Sequence, residues 1–218
     1  MISIALIDDH EITRKGIKTI VELNPNIKVV LEASNGKELL EKLNPAQLPL
    51  IAILDINMPV MNGFETVRKL QAIYPSIQII VFSLIYEEDA VINMITSGAR
   101  GYIPKSADPS TIAKAIISVN TKGFYLGELV KRGYFQKKTT SKEKYGFAGK
   151  HYLSPKEIKF MKLSSTNLNY KEIAEIMEVS IKTLENYRDS LFDKLEIKNR
   201  AALALYGFKT GLVSIFQE

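Results

Sequence analysis

The chain has 218 residues, 46% of them hydrophobic and 24% charged, with a net charge of +5 and no cysteine. That composition suits a globular protein with a buried core and excludes a disordered chain, a disulfide scaffold and a thiolate metal centre. No apolar run approaches the ~20 residues of a membrane span, and the opening MISIALIDDH lacks the basic lead and cleavage site of a signal peptide, so the expected location is the cytoplasm with no membrane partner.

Short stretches rich in Ile, Val and Leu alternate with amphipathic ones over residues 1–120. Ile2–Ile7, Ile27–Ala33, Leu50–Asp55, Ile77–Ser83 and Gly101–Lys105 read as strands. Most are apolar at successive positions, as a strand covered by helices on both faces requires. Glu11–Leu23, Gly36–Leu43, Gly63–Ile73, Glu87–Thr96 and Pro109–Asn120 read as helices; in the first, Ile12, Gly16, Ile17, Ile20 and Leu23 recur at helical spacing. Asn-Pro, Asn-Gly and Tyr-Pro pairs punctuate the joints. Five βα units predict an α/β fold, a doubly wound five-stranded parallel sheet with right-handed crossovers.

Residues 121–150 lose this periodicity and read as a linker. They carry a net charge of +6, against −2 for residues 1–120 and +1 for residues 151–218. A basic segment attracts polyanions over long range, and it is equally what a solvated linker looks like. From residue 151 the pattern is helical. Ser154-Pro155-Lys156-Glu157 is a capping box with Pro at the first helical position, opening a helix to about Ser164. Asn169 with Glu172 opens a second and Ser180 caps a third, reaching Leu195. Asn199 starts a fourth, with Gly211 as its left-handed terminator. Four short helices, two of them joined by a tight turn, outline a smaller all-α helix-turn-helix domain at 151–218.

In parallel sheets ligands gather beyond the carboxyl ends of the strands. The first strand runs into Asp8-Asp9, the third into Asp55, the fourth into Ser83 and the fifth into Lys105. Taken singly, each has a plain structural use: Asp8-Asp9 as a helix cap, Asp55 as the start of an Asx-turn. Taken together they form a pocket. Three carboxylates in one cleft repel each other unless a cation joins them, and an all-oxygen donor set suits Mg2+. With an ammonium from Lys105 and a hydroxyl from Ser83, such a site can receive a transferring phosphoryl group, with Asp55 as the nucleophile.

The acidic pair, LDINMPVMNG, Ser83, Tyr102 and Pro104-Lys105 occur in one order over residues 1–120, and there the chain resembles a response-regulator receiver domain of flavodoxin-like fold. The resemblance implies phosphorylation of Asp55 by a sensor histidine kinase. It also implies Mg2+ ligation by Asp9, Asp55 and the carbonyl of Asn57, with Asp8 acting directly or through water. Lys105 and Ser83 would then bind the phosphoryl group, and Ser83 and Tyr102 would act as switch residues. Leu84 follows Ser83 where many receivers carry something smaller.

Leu153-Ser154, Glu157, KEIAEIMEVS, TLENY and KLEIKNR resemble the LuxR-type helix-turn-helix of NarL/FixJ-like regulators. The resemblance makes Ser180–Leu195 the recognition helix of a protein that binds double-stranded DNA as a homodimer. Leu184, Leu191 and Leu195 form its buried stripe, bordered by Tyr187. Lys182, Thr183, Glu185, Asn186, Arg188 and Asp189 then face the DNA: Asn186 suits adenine and Glu185 cytosine, while Lys182 and Arg188 suit phosphates. The chain is thus expected to be a two-component transcription factor and not a turnover enzyme. Two other readings use the same residues. A Mg2+-dependent phosphohydrolase would place a second acid where Asn57 stands, and a scaffold would use the helical domain to bind protein.

Overall fold

A computed structural model describes residues 1–85, 87–127, 153–210 and 212–213. Five strands, β1 (Ile2–Ile7), β2 (Ile27–Ala33), β3 (Ile51–Leu54), β4 (Gln78–Ser83) and β5 (Gly101–Pro104), form one parallel sheet in the order β2-β1-β3-β4-β5. Five helices alternate with them: α1 (Glu11–Val21), α2 (Gly36–Lys42), α3 (Gly63–Ile73), α4 (Glu88–Ser97) and α5 (Ser110–Lys122).

The alternation of side chains along each strand divides the core between the two faces of the sheet. Ile4, Leu6, Ile51, Ile53, Ile80 and Ile103 pack against Ile17 and Val21 of α1 and Ile112, Ile116 and Val119 of α5. Ala5, Ile7, Leu54, Ile79, Val81 and Tyr102 face the opposite way, toward Leu39, Val67, Leu70, Val91 and Ile95. Both faces are covered, which is why the strands read as unbroken apolar runs and not as an alternating pattern.

The expected boundaries shift by a residue or two. Leu50 and Asp55 flank β3 and Ile77 precedes β4; each nonetheless donates or accepts backbone hydrogen bonds at the sheet margin or in an adjoining turn. Helix α5 runs past Asn120 to Lys122 and is closed by Gly123 at φ 84°, a left-handed conformation that glycine adopts without a Cβ penalty. The chain then stays on the sheet: Tyr125 N donates to Arg100 O at 2.8 Å, and Phe124 and Leu126 are buried.

Four further helices, α6 (Pro155–Ser164), α7 (Tyr170–Met177), α8 (Ile181–Lys194) and α9 (Arg200–Thr210), build the C-terminal unit. Both expected capping boxes are formed, at Ser154/Glu157 and at Asn169/Glu172, and the Ser180 hydroxyl accepts from Thr183 N at 3.1 Å to start α8. Helix α9 is buried from Arg200 to Gly207, because it packs on α6 and also on α4 of the first unit. The expected terminator Gly211 and residues 128–150 of the basic segment lie outside the described residues. Among the described residues no helix is long and apolar enough to cross a membrane.

Candidate functional site

Strand register assembles the site. Ile7 pairs with Leu54, and Ser83 with Pro104. The ladder continues one step further, with Asp55 N donating to Ile7 O at 2.9 Å and Lys105 N to Ser83 O at 2.9 Å. Asp8, Asp55 and Lys105 therefore emerge at the same sheet edge, one residue beyond their strands. Gly63 lets the following loop fold back on this edge: a Cβ there would lie 2.5 Å from Asp55 O and 2.7 Å from the Ile56 Cα.

Asp8 and Asp55 are 3% and 5% exposed, so neither carboxylate has water enough to stand alone. The Lys105 ammonium lies 2.7 Å from Asp8 Oδ2 and 2.7 Å from Asp55 Oδ2 and joins them. Burial pulls the Lys105 pKa down, but the two carboxylates outweigh it and hold the group above its ordinary value. Asp55 Oδ1 accepts from Ile56 N at 2.6 Å, which fixes the carboxylate plane. Asp8 Oδ2 meets the Lys105 ammonium at 2.7 Å and takes no hydrogen bond from any other group among the described residues, so that buried oxygen keeps acceptor capacity.

The expected metal residues are only partly gathered. Asp8 and Asp9 are adjacent, and they draw in a residue that sequence reasoning passed over: His10 Nδ1 lies 2.8 Å from Asp9 Oδ1 and 3.3 Å from Asp8 Oδ1. Their ligand atoms all fall within 4.8 Å of one another. Asp55 is turned to Lys105, and Asn57 stands exposed in the loop, its carbonyl accepting no hydrogen bond among the described residues. An oxygen-rich cluster with an unused acceptor on Asp8 and a free carbonyl at Asn57 fits a small hard cation such as Mg2+. Asp8 and Asp9 do not themselves cap α1; its N-cap is His10, whose backbone N–H donates to Asp8 Oδ1 at 2.9 Å.

Ser83 and Tyr102, the expected switch residues, meet on one backbone unit. Ile85 N donates to Ser83 Oγ at 3.3 Å, and the Tyr102 hydroxyl donates to Ile85 O at 2.5 Å. Tyr102 is 1% exposed, so its ring already lies inside. Ser83 and Tyr102 thus hold the loop that leads into α4. Leu84 is exposed beside them, and in the loop after β3 so is Val60, which adopts φ 68°. A β-branched residue at positive φ is a strained conformation of the kind that collects at functional loops.

On α8 the stripe is as expected, with Leu184, Leu191 and Leu195 buried. Lys182, Asn186 and Asp189 are exposed, and Thr183 and Glu185 half-buried. Arg188 behaves differently. Its guanidinium lies over the Tyr170 ring, 5.7 Å from the centroid, and its Nε donates to Asp189 Oδ1 at 2.8 Å. Helical spacing put it on the polar face, but the α7 aromatic at the edge of that face captures it.

Comparison with known proteins agrees with both halves. Residues 4–117 match the family described as response regulator receiver domain, and residues 151–206 match bacterial regulatory proteins of the luxR family. The nitrate/nitrite response regulator protein NarL of Escherichia coli K12 is 32% identical over 212 residues, 94% of each chain. RcsB of Salmonella enterica serovar Typhimurium, bound to the promoter rprA with the phosphomimetic BeF3-, is similar at TM-score 0.57 and 25% identity, over 96% of this chain and 100% of that one. A structure of two RcsB dimers bound to two parallel DNAs is similar at TM-score 0.55 and 25% identity, over 95% and 98% of the two chains.

Proposed function

The chain belongs to the response regulators, with a receiver domain and a LuxR-type DNA-binding domain, and from that premise we propose that a phosphoryl group taken on Asp55 controls how the protein binds DNA. We divide it as a receiver at 1–120, a basic linker at 121–150 and a DNA-binding domain at 151–218. The observation that carries the proposal is the meeting of Asp8, Asp55 and Lys105, from three separate βα units, at contacts of 2.7 Å.

The donor is a histidine kinase's phosphohistidine. A carboxylate oxygen of Asp55 attacks phosphorus, a P–O bond forms, and the P–N bond breaks with its electron pair returning to the imidazole. Asp55 is held for attack by Ile56 N and Lys105. Lys105 then follows the charge from the carboxylate to a phosphoryl oxygen. Asp8, Asp9, Asp55 and the Asn57 carbonyl would hold Mg2+, which when bound neutralises charge on the phosphoryl oxygens. Asn57, where a hydrolytic enzyme would need an acid, supports a phosphoryl store over a turnover enzyme.

Ser83 carries the signal out of the pocket. Turning its hydroxyl to donate to the phosphoryl group withdraws the acceptor from Ile85 N, leaving Ile85 held by Tyr102 alone. The loop that moves leads directly into α4, and α4 packs on α9 of the DNA-binding domain. Two states of this contact are what phosphorylation would bias. Helix α8 enters the major groove, with Lys182, Thr183, Glu185, Asn186, Arg188 and Asp189 toward the duplex. Because the domain's own charge is only +1, the +6 linker and a second copy of the chain supply the remaining electrostatic attraction.

Incubation with acetyl phosphate and Mg2+, followed by intact-mass and peptide analysis, tests the acceptor. One phosphoryl group is expected in the peptide holding Asp55, and none in Asp55→Asn. Equal labelling of the variant, or catalytic release of phosphate from small esters, would defeat the assignment.

A further inference from the structure

A cleft of about 540 Å³ opens between α5, the chain that follows it, the end of α6 and the end of α9. That volume falls in the ~300–1,000 Å³ range of small-molecule sites and far exceeds the voids that side-chain packing leaves. Part of its lining is apolar: Phe124, Leu126 and Val213 are buried and Phe208 is half-buried. Against these stand three lysines, Lys114 and Lys122 from α5 and Lys162 from α6. Among the described residues no aspartate or glutamate lines it.

Helical spacing sets this charge in place. Lys114, Ser118 and Lys122 follow one another at intervals of four along α5 and share one face of it. None of the three lysines forms an ion pair among the described residues. Asp108 feels Lys114 only as the weakest of several influences, its carboxylate being held by the Ser110 amide at 2.8 Å. The neighbouring hydroxyls already use their protons. Ser118 Oγ donates to Phe124 O at 2.8 Å, Ser165 Oγ to Met161 O at 2.9 Å and Thr166 Oγ1 to Leu163 O at 2.7 Å. The donors this leaves for a ligand include the three ammonium groups and the Asn167 amide, and an ammonium meets an oxyanion through charge-assisted hydrogen bonds.

We propose that this cleft binds a small organic anion, with a compact apolar body against Phe124, Leu126, Phe208 and Val213 and one or two acidic groups held by the lysines. An inorganic anion has no apolar surface to bury there, and a neutral ring leaves the lysines unmatched, so both features are needed. Duplex DNA matches the charge but not the shape: its phosphates lie on a broad, stiff surface that cannot enter a concave site of this size, and no lining residue comes from α8. The site is also separate from the phosphoryl pocket. Tyr125, part of its lining, bridges Gly101, the first residue of β5, so the cleft lies at the opposite sheet edge from Asp55 and Lys105. It gives the protein a second chemical input, and its failure would leave the Asp55 chemistry untouched.

Titration calorimetry of the full-length protein with naphthoate, with naphthylmethanol and with inorganic phosphate, all at one ionic strength, tests it. Saturable single-site binding of naphthoate is expected, with the neutral alcohol and the bare anion each weaker by about tenfold or more. Lys122→Gln and Lys162→Gln should each weaken naphthoate about three- to fivefold, the weight of a partly exposed ion pair. Lys69→Gln removes the same charge from an exposed position on α3, outside the cleft, and should bind as wild type does, as should Asp55→Asn. No saturation by naphthoate, equal binding of the alcohol, or an equal loss in Lys69→Gln overturns the site. So would cleft variants that bind naphthoate like wild type but each flatten the salt slope of duplex binding by about 0.9, since these lysines would then be DNA contacts.

Discussion

Replacing Lys105 by Met removes the cation that joins Asp8 and Asp55 and keeps the aliphatic bulk of the side chain. Each contact spans 2.7 Å, which at an effective dielectric of ~20 is a gross attraction of about 6 kcal/mol. Much of that offsets the cost of taking the charges out of water. What the variant exposes is the penalty of two buried, like-charged carboxylates without a counter-ion, about 3–5 kcal/mol. For a domain of this size that corresponds to a fall in Tm of roughly 12–20 °C. Differential scanning calorimetry in EDTA at pH 7 measures it. Millimolar Mg2+ should recover more stability in Lys105→Met than in wild type, because an ion bound beside the acids replaces the missing charge and stabilises only the folded state. A variant that melts within ~2 °C of wild type in EDTA would refute the reasoning, since buried acids left unpaired cannot be that well tolerated; so would an equal response of both proteins to Mg2+.

Gly63→Ala should destabilise the receiver by about 1–3 kcal/mol and slow phosphorylation as well, because the new Cβ must push on Asp55 O and the Ile56 Cα; denaturant melts and labelling rates report the two effects. Lys182→Ala should weaken binding to every duplex alike and flatten the salt slope by about 0.9, whereas Asn186→Ala should cost about 1–3 kcal/mol at one base pair only; titrations over a range of salt and a base-substitution series separate them. The Lys42 ammonium first, with the Ser34 hydroxyl and amide, holds the Glu38 carboxyl at about 2 against an ordinary 4.5. A lowered carboxyl pKa stabilises the fold above the unfolded value and loses that contribution as pH falls toward the folded one. Glu38→Gln should therefore match wild type near pH 2, fall behind between about 2 and 4.5, and show a constant deficit above that, in stability measured by urea melts across the range.

How far the sequence announced this arrangement depends on where each partner's chemistry resides. The shared position of Asp8, Asp55, Ser83 and Lys105 was legible because strands in a parallel sheet all end on one edge, so each apolar run pointed to its own residue there. The stripe of Leu184, Leu191 and Leu195 was legible for a similar reason, since helical period alone buries it. Arg188 was misjudged in orientation: spacing gives its direction from the helix but not the Tyr170 ring that competes with solvent for it. His10 was missed because a histidine after two acids looks like a helix start, which it also is. Arg200 closed the KLEIKNR motif, but nothing in that motif announced what it binds. Its partners are carbonyl groups of Ser164, Thr166, Leu168 and Lys122, and every residue type carries a carbonyl. The strained turn at Val60 was equally silent, because nothing in a Pro-Val-Met-Asn-Gly loop says that the valine and not the glycine takes positive φ.

Binding to genomic DNA, footprinted with and without acetyl phosphate for wild type and Asp55→Asn in parallel, joins the pocket to the helices in one measurement. The account predicts protected sites that gain occupancy with the phosphoryl donor in wild type and do not respond in Asp55→Asn. Protection that responds to the donor equally in both proteins would contradict it.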